Sequence, residues 1–283
     1  MCTRSELAAR LVHRLPITLS LIALCWAGGS AFAADKPAEI RLGVATYSLR
    51  NFPRTQAIGM IKQLGIREVS IKEVHLLYKS TPEEMFAGRD EFDAAGLHIA
   101  SGGVIYMDKG DEAAIKVYFD YAKYCGMPMI IAGATTQTLP IIEKLVKQYN
   151  IRVAVHNHGP EDKVFPNPQA ALKVMGDMDA RIGVCVDVGH TVRTGVDLIG
   201  TIRAAGDRLL DIHVKDLRDL KDAKSQCPVG EGAMPIVPMF RELMKMKYRG
   251  LVALEYEIDA DNPLPGMQKS FDYMRGVLTK LRG

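Results

Sequence analysis

One pattern recurs along most of this chain: a short apolar run rich in β-branched residues, then an amphipathic segment, then another apolar run. The amphipathic segment at residues 141–146 has its apolar residues at helical spacing, and Asn167 followed by Pro168 is typical of a helix start. Strands are predicted at residues 40–47, 68–72, 98–105, 127–132, 152–156, 182–187, 209–214 and 250–256. Such alternation predicts parallel strands joined by helical crossovers.

Eight strand–helix units within residues 34–283 match the size of a (β/α)8 barrel, also called a TIM barrel. The alternative is a doubly wound open sheet, which usually carries a glycine-rich phosphate turn after its first strand. Here residues 48–53 (Ser-Leu-Arg-Asn-Phe-Pro) follow the first strand and contain no glycine. We therefore predict an α/β fold with a single TIM barrel at residues 34–283.

The first 33 residues differ from the rest and have the order of a secretory signal peptide. Arg4, Arg10 and Arg14 precede an uncharged, mostly apolar run at residues 15–27, and small residues follow up to Ala33. The run is shorter than the roughly 20 residues that span a bilayer. Cleavage near Ala33 and export to the periplasm, with no stable membrane anchor, are expected. An uncleaved anchor and a lipoprotein acylated on Cys25 are the alternatives.

Composition excludes several classes of protein. Hydrophobic residues make up 48% of the chain and charged residues 24%, which is typical of a globular protein and not of a disordered one. The 36 basic and 33 acidic residues are too evenly balanced for a surface that binds phosphate backbones, so no nucleic-acid partner is expected. The sequence does not indicate an oligomeric state.

Polar residues gather where the predicted strands end. Of the seven histidines, five lie at or just after the ends of strands two, five, six and seven: His75, His156, His158, His190 and His213. Acidic residues and lysines occupy equivalent positions: Lys72, Asp187, Lys215, Glu255 and Glu257. The carboxyl ends of barrel strands share one rim, so these side chains are expected to converge there.

Converging imidazoles and carboxylates repel one another, or leave lone pairs buried, unless a cation binds them. Mixed nitrogen and oxygen ligands suit a transition metal better than calcium. We expect one divalent ion: Mn, Zn, Co, Fe or Mg. Taken alone, a strand-end histidine is more often a hydrogen-bonded structural residue, and a strand-end carboxylate is more often a loop cap; the joint occurrence on strands five to eight favours the metal site.

The segments 187–190 (Asp-Val-Gly-His), 213–216 (His-Val-Lys-Asp) and 230–232 (Gly-Glu-Gly), with Glu255, resemble the xylose isomerase-like TIM-barrel superfamily, which shares its fold with AP endonuclease 2 proteins. That group contains sugar isomerases and epimerases, inosose dehydratases and endonuclease IV. The resemblance implies a small-molecule carbohydrate substrate, and it covers essentially all of residues 34–283. Its motifs are specific for the superfamily and do not identify a substrate.

The resemblance implies that Asp187, His213 and Glu255 hold the metal. A glutamate on strand five is the usual fourth ligand, but this chain has His156 there, followed by His158, and either imidazole could replace it. Two-base epimerases use that missing glutamate as one of their two bases. The His-x-His motif, with residues 72–76 (Lys-Glu-Val-His-Leu), resembles secreted branches that catalyse elimination or hydration of keto-sugars.

Roles follow for the remaining strand-end residues. Glu255, Lys72 and His158 are the candidate acids and bases. Substrate contacts are expected from His190, Lys215, Glu231, His75 and Glu257. The alternative for Glu231 is an ordinary tight turn. Tyr47, Tyr106 and Phe165 follow strand ends and could stack on a sugar ring or simply pack in the protein.

Three classes of function remain. The first is a metal-dependent isomerase or epimerase that removes a proton next to a metal-bound carbonyl, with a lyase or hydratase as the close alternative. The second is a phosphodiesterase like endonuclease IV, which the charge balance and the export signal disfavour. The third is a non-catalytic sugar-binding barrel, which the joint presence of Asp187, His213 and Glu255 disfavours.

Overall fold

The computed structural model describes residues 39–283, and the predicted signal peptide and cleavage site lie outside the described residues. Eight parallel strands close into a barrel in the order β1-β10-β7-β6-β5-β4-β3-β2. The prediction of a TIM barrel is thus confirmed, and the open doubly wound sheet is excluded. The strands are β1 (Arg41–Ala45), β2 (Glu68–Ile71), β3 (His98–Met107), β4 (Met129–Ala134), β5 (Arg152–His156), β6 (Ile182–Asp187), β7 (Leu209–Val214), β8 (Asp216–Leu217), β9 (Gln226–Cys227) and β10 (Leu251–Leu254).

The helices form the outer ring, and their ends follow local sequence rules. Thr81 caps α2 in a reciprocal capping box with Glu84, and the Asn167 side chain accepts a hydrogen bond from the Ala170 amide at the start of α5. Their bounds are α1 (Arg54–Gln63), α2 (Pro82–Ala94), α3 (Glu112–Tyr124), α4 (Leu139–Tyr149), α5 (Pro168–Met175), α6 (Val188–Arg193), α7 (Leu198–Ala205), α8 (Ile236–Lys245) and α9 (Leu264–Arg282). Among the described residues, no helix is long and apolar enough to cross a membrane.

Strands β5, β6 and β7 have their predicted bounds, and the main differences lie elsewhere. Strand β10 ends at Leu254 rather than at residue 256, because the Tyr256 amide donates to the Ser48 hydroxyl instead of a neighbouring strand. A short antiparallel pair, β8 and β9, follows β7 and was not predicted. Each of its strands has only two residues, too few to produce a visible pattern in the sequence.

The apolar core has three parts, which leave one end of the barrel for polar groups. The largest part lies between the strands and the ring of helices. The smallest part consists of Ala45, Ala100, Leu251 and Ala253. A further cluster fills the barrel interior and consists of Val104, Met129, Ile131, Ala154, Cys185 and Leu210. Above this cluster, at the carboxyl ends of the strands, the inward-facing side chains become polar, as alternation along each strand allows.

Candidate metal site and substrate cavity

Four buried side chains meet at the carboxyl ends of four adjacent strands. His156 ends β5, Asp187 ends β6, His213 lies near the end of β7, and Glu255 follows β10. Asp187 and His213 are direct neighbours across the β6–β7 ladder. One ligand atom from each of the four side chains lies within 4.8 Å of the others. The structure therefore brings together the four residues that the sequence analysis named as metal ligands.

Several polar atoms of this cluster are buried and make no hydrogen bond with the described chain. They are both ring nitrogens of His156 and both ring nitrogens of His213. Buried polar atoms without partners are costly, and native proteins seldom leave several of them at one point. Two imidazoles and two carboxylates form a donor set that suits a divalent transition metal such as zinc. The residues present thus fit a single divalent ion.

The protonation states of three of the four side chains suit cation binding. Desolvation lowers the pKa of His156 to about 3, so its ring is neutral and its lone pair is available near neutral pH. Burial would raise the pKa of Asp187 and of Glu255, but the ammonium of Lys215 together with neighbouring histidines holds both well below their usual values, so both carboxylates are ionised. Burial would lower the pKa of His213, but the neighbouring thiol and carboxylate groups raise it well above its usual value, so a bound ion has to displace a proton from this ring.

Local folding fixes the direction in which Asp187 points. Its Oδ1 accepts a hydrogen bond of 2.8 Å from the His190 amide, so Asp187 is the N-cap of α6. The Asn157 side chain accepts from the Asp187 amide at 3.1 Å and donates to the Thr191 hydroxyl. Oδ2 is consequently left to face the cluster, and the same turn carries His190 to the edge of the cavity.

Lys215 holds the carboxylates in place. Its side chain is 4% exposed, and its Nζ lies 3.0 Å from Asp187 Oδ2, 2.9 Å from Glu255 Oε2 and 2.5 Å from Glu257 Oε2. The stem of Lys215 passes so close to Gly189 that a Cβ there would lie 2.8 Å from its carbons. We expected Lys215 to contact substrate, and the structure shows its ammonium directed at these three acids. The close approach of the Lys215 stem explains why residue 189 is a glycine.

A cavity of about 330 Å³ opens above the cluster. The predicted residues Lys72, His158, His190 and Glu257 line it, together with His156 and Glu255. Tyr47 and Tyr106, two of the three predicted stacking residues, also line it, and Glu73 and Val104, which were not predicted, complete the lining. The cavity thus combines acidic, basic and aromatic side chains.

Lys72 and His158 line the same cavity as Glu255. The Lys72 ammonium donates to the Val104 carbonyl at 2.9 Å and pairs with Glu73 at 2.9 Å. Nε2 of His158 lies 3.2 Å from the Tyr106 hydroxyl, and its Nδ1 lies 3.5 Å from Asp162. Desolvation, followed by the neighbouring His190, lowers the pKa of His158, which keeps this ring neutral near pH 7.

Two predicted substrate contacts do not reach the cavity. His75 is buried, and its ring nitrogens lie 3.0 Å from the Thr46 hydroxyl and 3.2 Å from the Phe52 carbonyl, so it fixes the loop after β1. Glu231 lies on the surface and pairs with Arg218 and Lys269.

The segment around Glu231 has a structural role instead. The carboxylate of Asp216 accepts from the amides of Gly230, Gly232 and Met234, which closes this segment into a tight turn. Phe165 is also buried and does not present its ring to the cavity.

Gln226 is a residue that the sequence analysis missed. Its Nε2 donates to the Glu255 carbonyl, and its Oε1 accepts from the Glu257 amide, each at 2.9 Å. Both ends of the carboxamide thereby fix the segment that carries the two glutamates. Gln226 lies about thirty positions from its partners, on the unpredicted β9, so no local pattern could have indicated this role.

The fold and this rim cluster place the chain in a known class of barrel proteins. The profile of the family described as xylose isomerase-like TIM barrel matches residues 113–277, which is more than half of the chain. The chain therefore belongs to that family.

Individual relatives are more distant. The inosose dehydratase of Lactiplantibacillus plantarum is 24% identical over 153 residues, which are 47% of this chain and 49% of that protein. The chain thus spans about half the length of the curated relatives it matches.

Among solved structures, the protein IolI with a bound zinc atom is 13% identical, with a TM-score of 0.70, and covers 85% of this chain and 99% of its own. The D-psicose 3-epimerase of Clostridium cellulolyticum with D-tagatose is 14% identical, with a TM-score of 0.69, over 84% and 99%. At these identities the likeness shows the fold alone.

Proposed function

We propose that this protein is a divalent-metal-dependent enzyme that acts on a sugar or keto-sugar by removing a proton next to a carbonyl group. The observation that carries the proposal is the buried cluster of His156, Asp187, His213 and Glu255, whose ligand atoms lie within 4.8 Å of one another beside a polar cavity. The ring nitrogens of both histidines have no hydrogen-bond partner in the described chain, and His156 and Glu255 line the cavity. The balanced charge of the chain favours a small carbohydrate over nucleic acid as the substrate.

When bound, a divalent ion supplies Lewis acidity that polarises a carbonyl oxygen and stabilises the negative charge that develops there. His156, Asp187, His213 and Glu255 would hold it. Zinc is a fitting candidate, since the structurally similar IolI was found with a zinc atom.

The side chains around the cavity supply the proton transfers. His158 is neutral near pH 7 and lies at the wall, so it can accept a proton from a carbon next to the carbonyl. The Lys72 ammonium faces the same cavity and can donate a proton to a departing or developing oxygen. Lys215 keeps Glu257 and Glu255 in fixed positions in the lining of the same cavity, where they can accept hydrogen bonds from sugar hydroxyl groups.

Elimination of water is the outcome that we favour. A base removes the proton from the carbon next to the carbonyl, the bond to a β-hydroxyl breaks, and a protonated side chain returns a proton so that water leaves. Two observations support this reaction: His156 stands where two-base epimerases have a glutamate, and the curated relatives matched are inosose dehydratases.

Isomerisation or epimerisation is the second candidate. It is supported by the presence of several titratable groups around one cavity: Glu255, Glu257, Lys72 and His158. A proton removed on one side of a substrate could be returned on the other side, which is what an epimerase requires.

Incubation in deuterated water separates these outcomes. Metal-loaded protein is mixed with a ketohexose, an inosose and 3-keto-glucose, and the products are followed by mass spectrometry. Loss of one water from a substrate supports elimination, whereas deuterium uptake with an unchanged carbon and oxygen count supports isomerisation or epimerisation. His158→Gln should lower either rate at least about 100-fold, which is a typical contribution of general base catalysis. Metal-loaded protein that causes neither change in any of the three substrates would contradict the proposal.

We further propose that the chain is exported and cleaved near Ala33. The order of positive, apolar and small residues within residues 1–33 supports this. N-terminal sequencing of protein recovered from the periplasmic fraction should begin at Ala34, and an intact Met1 there would contradict it.

A further inference from the structure

We call His156, Asp187, His213 and Glu255 the metal-ligand cluster. A second cavity of about 410 Å³ adjoins the cavity above this cluster. His190 and Glu257 line both cavities, so these two side chains form a common boundary. The second cavity extends between α6 and the loop that joins β8 to β9, and it is at least as large as the first. We call it the outer cavity.

Most polar groups at the inner edge of the outer cavity are already paired. The Lys215 ammonium binds three carboxylates, and the Gln226 carboxamide binds two backbone groups. Apolar side chains of Leu217, Ala223 and Ile258 form another part of the lining. A binding surface that combines apolar contact with a few directed polar groups is typical of small-molecule sites.

Two cationic side chains supply the directed polar groups. The Arg193 side chain is 7% exposed; it pairs with Glu161 and lies 3.3 Å from Nδ1 of His190, and within residues 39–283 its Nε has no hydrogen-bond partner. Lys224 lies on the exposed side of the same cavity, and no ion pair is found for it within that range. The charges of Arg193 and Lys215 are balanced by acids, so the outer cavity offers donors to hydroxyl groups rather than a strong field for a phosphate.

We propose that the outer cavity is a subsite for the second group of a glycoside, a sugar ring or similar aglycone, whose keto-sugar ring lies over the metal-ligand cluster. This inference rests on the proposed function and narrows its substrate class from free sugars to glycosides. A ring in the outer cavity contacts the apolar side chains with its carbon–hydrogen face, while Arg193 and Lys224 donate to its hydroxyl groups.

A pair of probes and one bulky substitution test the subsite. The probes are 3-keto-glucose and the disaccharide in which the same ring is joined through its C1 oxygen to a second glucose. Calorimetry on metal-loaded protein should show at least tenfold tighter binding of the disaccharide. Ala223→Trp fills the outer cavity from an exposed turn, and it should abolish this preference without changing the affinity for 3-keto-glucose or the metal content.

Two further variants complete the design. Lys221→Trp adds the same ring to the same exposed loop but outside both cavities, and it should behave as the unchanged protein. Lys224→Ala removes one donor with little risk to folding, and it should reduce the disaccharide preference about threefold or more.

The outcomes separate the two proposals. If 3-keto-glucose binds but the disaccharide binds no more tightly, or if Ala223→Trp retains the preference, the subsite is wrong and the metal-dependent function stands. If neither probe binds to protein that has taken up metal, the proposed function fails for keto-sugars and the subsite fails with it.

Discussion

The two rims of the barrel carry similar residue types in very different surroundings. At the amino-terminal rim, Glu68 pairs with Arg41 at 2.5 Å and with His98 at 2.8 Å, and the His98 side chain is 62% exposed. At the carboxyl-terminal rim, His156 and His213 are buried, and neither makes a hydrogen bond with the described chain. A cluster becomes a candidate site because its polar atoms are buried and its imidazole nitrogens lack hydrogen-bond partners, and not because of its residue types.

The largest expected difference between the rims concerns metal binding. His213→Ala removes one of four donors, so metal affinity should fall at least about 100-fold, which exceeds the usual effect of residues that merely orient a ligand. Turnover should fall to background while the circular dichroism spectrum is retained. Metal content after dialysis is the measurement, and His98→Ala at the other rim is the control, with no loss expected.

If His213→Ala retained a full equivalent of metal, metal binding would not distinguish the two rims. The assignment of the four buried donors would then be wrong, whatever the activity of the variant.

A second difference concerns the free energy of unfolding. Lys215→Met leaves Asp187 and Glu255 buried without their cation, and breaking a buried charge cluster from one side costs about 3–5 kcal/mol. Glu257 contributes little because it is partly exposed. Urea denaturation of metal-free protein should show this loss, and saturating divalent metal should restore part of it.

The matched control is Arg41→Met at the other rim. The ion pair of Arg41 with Glu68 is partly exposed and screened by solvent, so the free energy of unfolding should fall by no more than about 1 kcal/mol. Equal losses for the two variants would show that burial does not distinguish the rims.

The smallest expected effect is a change in the pH dependence of stability. Burial is the main cause that lowers the pKa of His75 below 6.5, so below that pH the unfolded chain binds a proton more readily than the folded protein does. The corresponding stability is present above pH 6.5 and is lost as the pH falls. His75→Gln should therefore lose less stability than the unchanged protein between pH 6.5 and about 5.

Thermal unfolding is measured across that pH range. The quantity compared is the slope of the unfolding free energy against pH, and not the absolute stability. Identical slopes for the two proteins would show that His75 does not titrate differently on folding.

The sequence by itself determined the barrel and the position of the metal-ligand cluster. Eight apolar runs spaced by amphipathic segments leave few ways to bury both faces of a parallel sheet, and strands that run the same way bring their carboxyl ends to one rim. Strand ends placed His156, Asp187 and His213 at that rim, and the resemblance to the xylose isomerase-like superfamily implied that Asp187, His213 and Glu255 are metal ligands.

Only the tertiary structure decided how the neighbouring polar residues are used. Lys215 pairs with three acids, Glu231 pairs with surface cations and His75 supports a loop. The contacts that decide these roles join residues that are distant in the chain. The outer cavity also depends on distant contacts, because its lining comes from α6, from the segment of β8 and β9 and from residues after β10. Strand periodicity indicates which rim a side chain occupies, whereas its partner there depends on packing between segments that the sequence does not place side by side.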